Sequence, residues 1–202
     1  MKKAIWAALL ICLLPTQLLI GQVASQNLAQ LIQASEDILT GKVLQIQDGF
    51  VSVAQGQLPY TEITLQVYET LKGKAAGTFS FRQFGLIKPR RLANGKQYLG
   101  VTPPEWPRFT PGEEVLLFLY KGSAVSGLRS TAGLVQGKFL LQQGRALNGA
   151  GNAWLFEGLD GYPMQLSAAE QKMMLQGGAV PQGVFLGLLR KAVSQSWFSS
   201  SH

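Results

Sequence analysis

Apolar residues run without a charge from Ala4 to Gly21 and then give way to shorter, periodic patterns. Leu28, Leu31 and Ile32 stand at i, i+3 and i+4 behind Asn27, a residue suited to capping, so residues 27–35 are predicted to be a short helix. Residues 38–46 alternate as a strand does, and Gly41 within them marks a bulge or a close backbone approach. A further short strand is expected at 50–53. The clearest alternation covers 60–71: Thr61, Ile63, Leu65, Val67 and Glu69 share one face, and Tyr60, Glu62, Thr64, Gln66 and Tyr68 the other. One apolar and one polar face describe an antiparallel sheet with a wet side. Residues 78–84 alternate again up to Gly85.

Residues 86–114 hold no period but carry five prolines together with Trp106 and Phe109. A loop of that length in a compact domain is functional or disordered, and large aromatics argue for order. Residues 115–120 form a continuous apolar run too short for a helix, predicting a strand buried on both faces. Further strands are expected near 133–136, 138–143 and 153–156, with a turn at Asn148-Gly149. Ser167 and Glu170 have the spacing of a capping box and predict a helix over 168–176. Pro181 opens a second helix, along which Phe185, Leu188, Leu189, Ala192 and Val193 form one stripe. Trp154, Trp197 and Phe198 are expected in the core or in helix packing. The resulting fold class is mainly β: a small closed OB-like antiparallel barrel with one helix before it and two after. Closure is expected because open sheet edges invite aggregation.

The amino-terminal run follows Met1-Lys2-Lys3 and ends in Val23-Ala24-Ser25, the order of regions in a secretory signal peptide cleaved after Ser25. Its rival is an uncleaved membrane helix, since the run approaches the about 20 residues that span a bilayer. Cys12 follows Ile11 inside the run and is read as a signal-peptide hydrophobe rather than a lipidation site. The expected division is 1–25 signal peptide, 26–160 β domain and 161–202 helical appendage. Loss of Lys2 and Lys3 lowers the net charge from +7 to +5 and leaves no cysteine. An exported domain without disulfides must be held by its core, which suits a bacterial periplasm or cell surface.

Two stretches carry a family resemblance. One is Ala34-Ser35-Glu36-Asp37-Ile38-Leu39-Thr40-Gly41-Lys42-Val43 with the later Tyr60 to Gly73; the other runs from Pro107 through Gly112-Glu113-Glu114 to Leu119. Over about residues 34–140 the chain resembles a group of exported bacterial domains similar to the netrin-like, OB-barrel modules of tissue inhibitors of metalloproteinases. The resemblance implies a five-stranded OB-like barrel. Those inhibitors chelate zinc through an amino-terminal cysteine and are stapled by disulfides. The mature chain has neither, so the inhibitory mechanism transfers to no residue here.

Catalytic chemistry finds little material. The single histidine is His202 at the very end. Glu36-Asp37 and Glu113-Glu114 are adjacent pairs whose members point to opposite faces of a strand. Ser123, Ser126 and Ser130 lie near Lys121, but no nucleophile elbow, dinucleotide fingerprint or phosphate loop occurs. No catalytic residue, metal ligand or cofactor is predicted. Charge is more informative. No acidic residue lies between Glu69 and Glu105, yet Lys72, Lys74, Arg82, Lys88, Arg90, Arg91 and Lys96 do, leaving the rest of the mature chain at −2. Such a concentration attracts anions over a screening length of about 8 Å at physiological salt. The candidate binding residues are Arg82, Lys88, Arg90, Arg91, Lys96, Tyr98, Trp106, Arg108 and Phe109, the cations gripping phosphate, sulfate or carboxylate while aromatic faces stack. The expected partner is a protein or an anionic envelope polymer, with no specific nucleic acid. Alternatives are an inhibitor or hydrolase associated with cell-surface proteolysis and a structural subunit of an envelope assembly.

Overall fold

The computed structural model describes residues 24–91 and 94–198. The expected leader lies outside them except for Ala24 and Ser25, as do Cys12 and His202. No helix among the described residues is long and apolar enough to cross a membrane.

Helix α1, Leu28–Ala34, begins where expected: the Asn27 side chain accepts from the Gln30 amide, and the Gln30 side chain accepts from the Asn27 amide. It buries Leu28, Ala29, Leu31 and Ile32. Strands β1 (Asp37–Val53) and β2 (Gly56–Lys72) then form one long hairpin. Residues 50–53, expected as a separate strand, continue β1, because Phe50, Val51, Ser52 and Val53 all keep their ladder partners in β2. The register slips at three points, one between Thr40 and Gly41 and one that leaves Leu44 unpaired and exposed. Gly41 is required by proximity: a Cβ there would lie 2.5 Å from the Gln66 carbonyl oxygen.

Strand β3 (Thr78–Phe84) pairs with β2, and after the long loop, which holds a small hairpin of β4 (Arg90–Arg91) and β5 (Gln97–Tyr98), β6 (Glu114–Leu119) pairs with β1. Strands β7 (Lys138–Gln142), β8 (Arg145–Asn148) and β9 (Val180–Pro181) complete an antiparallel sheet of seven strands in the order β3-β2-β1-β6-β7-β8-β9. Helix α2 (Ala168–Met174) starts at the predicted Ser167–Glu170 capping box, and α3 (Gln182–Ser194) follows Pro181.

The expected closed barrel is not formed. The chain leaving β6 returns to β3 only at isolated points, a bridge between Arg82 and Leu128 and a hydrogen bond from the Arg129 amide to the Arg82 carbonyl at 2.9 Å. No ladder joins them, and the sheet stays open. The strand interiors serve two cores. Ile38, Leu116, Phe118 and Phe139 point to one side, into a core shared with α1, α2 and α3. Leu39, Val43, Ile63, Leu65, Phe81, Val115, Leu117 and Leu119 point to the other, where Phe109 covers them. The central strands are thus apolar on both faces, and one of those faces takes a helical layer in place of solvent. The edges are blunted by other means. β9 is two residues long and includes a proline, and the segment after β6 touches the outer edge of β3 at Arg82.

The segment after β6 is fastened by Arg129. Its guanidinium donates to Asp37 at 2.8 Å and to the Tyr120 carbonyl at 2.8 Å, with both charged side chains about nine-tenths buried. Asp37 also accepts the Lys74 amide at 3.1 Å, so one carboxylate ties the start of β1 to two loops. The expected strand at 133–136 is instead a 3-10 turn at Leu134–Gly137, because Gly133 and Leu134 both take positive φ and the Thr131 hydroxyl holds the Leu134 carbonyl at 2.6 Å. The turn between β7 and β8 falls at Gln143-Gly144, both left-handed. The expected turn at Asn148-Gly149 is present and ends β8, with the Gly151 amide donating to the Asn148 carbonyl and the Asn148 side chain accepting the Ala150 and Asn152 amides. Residues 153–156 are turns rather than a strand, since Asn152 and Trp154 sit at φ near +59°. Trp154 is half exposed, contrary to its expected place in the packing, whereas Trp197 and Phe198 are buried as anticipated.

Two outcomes test this packing. Gly41→Ala forces β2 away from β1 and lowers unfolding free energy by about 1–3 kcal/mol in urea titration, with Thr40→Ser as a mild control. Glu170 is buried, which by itself would raise its pKa, but hydrogen bonds from Lys191 and from the Ser167 amide and hydroxyl outweigh this and hold it below the usual value of 4.5. Its stabilising contribution is therefore complete above about pH 4.5 and disappears as pH falls through the lowered pKa. Glu170→Gln is expected to cost about 1–2 kcal/mol at pH 7 and progressively less in acid, read as melting temperature against pH.

Candidate functional site

The basic residues of the long loop are displayed by a short stalk. Gly85 ends β3 at φ +100°, and a Cβ there would come within 2.6 Å of the Thr102 Cα. The Leu86 amide donates to the Gly100 carbonyl and the Thr102 amide to the Leu86 carbonyl, each at 3.0 Å, closing the loop at its base. Asp48, on β1, braces the same point: its two carboxylate oxygens accept the Ile87 amide at 2.9 and 3.1 Å. The Thr61 hydroxyl lies 2.9 Å from both Asp48 and the Gly85 carbonyl. Beyond this stalk β4 and β5 pair Arg90 with Tyr98 and Arg91 with Gln97.

The small hairpin leans on the tip of the β1–β2 hairpin. Phe50 meets the Tyr98 ring edge-to-face at 5.5 Å, and the Arg90 guanidinium lies over the Phe50 ring at 5.4 Å. Lys88, Arg90, Arg91 and Lys96 are all exposed, and none of them forms an ion pair among the described residues. Asp48, at the base of the loop, is occupied by backbone and hydroxyl donors. The side chains can therefore present several unneutralised cations on a surface that contains aromatic rings.

The other predicted residues separate from this group. Arg82 is paired with Glu62 at 2.7 Å and lies over Tyr60 at 4.6 Å; the hydrogen bond to Glu62 pushes its pKa above the ordinary arginine value. Trp106 is half-buried against Phe84 at 6.2 Å. Phe109 is buried edge-on against Phe81 at 5.7 Å, with the Lys138 ammonium over its ring at 4.6 Å from the centre, so it serves the second core. Arg108 is exposed and lines a groove with residues of β7 and β8. Phe50 and Asp48 were not among the sequence candidates. Nothing in their local pattern marks them; only the pairing that carries β1 past residue 46 brings them to the loop. Among the described residues no three His, Cys, Asp or Glu side chains gather so as to hold a metal ion.

Compared with protein-family models, with curated proteins and with solved structures, the chain matches none, netrin-like and OB-barrel families included.

Asp48→Ala removes the brace beneath the hairpin. Amide exchange at Ile87 is expected to accelerate at least tenfold, with a stability loss of about 1–2 kcal/mol from the freed donors.

Proposed function

We propose that the protein is an exported, non-enzymatic binding module that contacts an anionic partner through the basic hairpin around Arg90 and Tyr98. The observation that carries this reading is the grouping of four exposed cations, Lys88, Arg90, Arg91 and Lys96, on one braced loop, with no carboxylate within 4 Å of any of them among the described residues. Like charges held together on one exposed loop repel each other, and an anion relieves that repulsion. Arg90 is held in place by the Phe50 ring, which reduces the side-chain ordering that binding must otherwise cost. Phosphate, sulfate and carboxylate groups all suit such a surface, and guanidinium groups can meet them through paired hydrogen bonds. Export rests on the leader-like order of the first 25 residues, and the brace from Asp48 supports a preformed contact surface rather than a loose tail.

The test separates this surface from net charge. Wild-type protein and two charge-matched variants, Arg90→Glu with Arg91→Glu and Lys121→Glu with Lys172→Glu, are compared on a sulfated polysaccharide resin. The arginine variant is expected to lose retention at physiological salt while its melting temperature stays unchanged, and the lysine variant to keep most of it. Equal loss in both variants, or retention in both, overturns the reading.

A further inference from the structure

A second surface lies on β7 and β8, apart from the basic hairpin. Phe139, Leu141 and Ala146 point from these strands into the helix-covered core. Leu140 and Leu147 therefore point the other way, and they are direct ladder partners. Leu140 also pairs with Val115 of β6, so Val115, Leu140 and Leu147 form one apolar row across three strands. Val115 is completely buried in the second core, whereas Leu140 and Leu147 remain 37% and 40% exposed. The cover that the rest of that face receives from β2, β3 and Phe109 stops one strand too soon.

The uncovered end of the row is the floor of a groove of about 430 Å³. On the β6 side it is bounded by Pro107, Arg108 and Glu113, and on the β9 side by Ala179. Three cations line it, Arg108, Lys138 and Arg145, against the single carboxylate of Glu113. Glu113 is already bound to Lys138 at 2.6 Å, and Arg145 donates to the Ala179 carbonyl, a neutral partner. Arg108 has no acidic partner among the described residues. The groove thus carries two unbalanced positive charges beside an apolar floor.

We infer that this groove binds a small amphipathic anion, with an apolar chain or ring lying on Leu140 and Leu147 and a carboxylate or sulfonate head held by Arg108 or Arg145. The volume falls within the roughly 300–1,000 Å³ of small-molecule sites, and a concave apolar floor with few charged groups is the usual construction of such sites. The sign of the charge excludes cationic amphiphiles as the fitting class. The inference stands independently of the basic hairpin, with which the groove shares no lining residue.

The probe is 1-anilinonaphthalene-8-sulfonate, which has an apolar ring system and one anionic group. Saturable binding at one site per chain is expected, with displacement by dodecanoate below its micellar concentration and none by dodecyltrimethylammonium at the same concentration. Arg108→Glu with Arg145→Glu should weaken the probe at least tenfold at unchanged melting temperature, and Leu147→Gln should do so without altering charge. Arg90→Glu with Arg91→Glu should leave probe binding as in the wild type. Wild-type affinity in both groove variants, equal displacement by the cationic amphiphile, or loss of the probe in the hairpin variant would each overturn the inference.

Discussion

The structure depends on one strand having to be dry on both sides. In β6, Leu116 and Phe118 point to the helices while Val115, Leu117 and Leu119 point to the opposite layer, and all five are fully buried. Side chains alternate strictly along a strand, so such a run can be satisfied only between two apolar layers. Helices α1, α2 and α3 provide one layer. The long β1–β2 hairpin, β3 and Phe109 provide the other. Each side is incomplete without the other, which binds the amino-terminal helix, the sheet and the last helix into a shared packing problem.

That arrangement also explains where surfaces remain for partners. The β1–β2 hairpin reaches 17 residues in each strand, well beyond the part needed to cover β6. Its distal end carries Asp48 and Phe50, and these support the basic hairpin away from the carboxylates that neutralise other cations. At the opposite side of the sheet the second layer runs out over β7 and β8, and two leucines are left facing a charged rim. Both surfaces are thus residues of the same packing solution: one arises where the covering layer overshoots, the other where it falls short.

Much of the fold was legible locally. The cap at Asn27 and the capping box at Ser167 place two helix starts because their hydrogen bonds involve residues only three apart. The alternation in 60–71 and 78–84 identifies β2 and β3, and the uninterrupted run in 115–120 identifies a strand buried on both faces. The misplaced elements share a cause. At Leu134, Asn152 and Trp154 a non-glycine residue takes positive φ, held by surrounding hydrogen bonds and packing that no local propensity records. The separation of Arg82 from the other basic residues is of the same kind, since Glu62 becomes its partner only through the register of β2 with β3.

The order of residues by itself determined the mainly β character, the helix starts, the doubly buried strand and the concentration of positive charge in 70–104, because each follows from composition or from contacts a few residues apart. Only the tertiary structure decided that the sheet remains open, which cations keep an acidic neighbour, and that Phe109 is core while Arg90 rests on Phe50. Those outcomes turn on which strands lie side by side and in what register, and pairing across tens of residues is set by how two apolar layers can be covered at once.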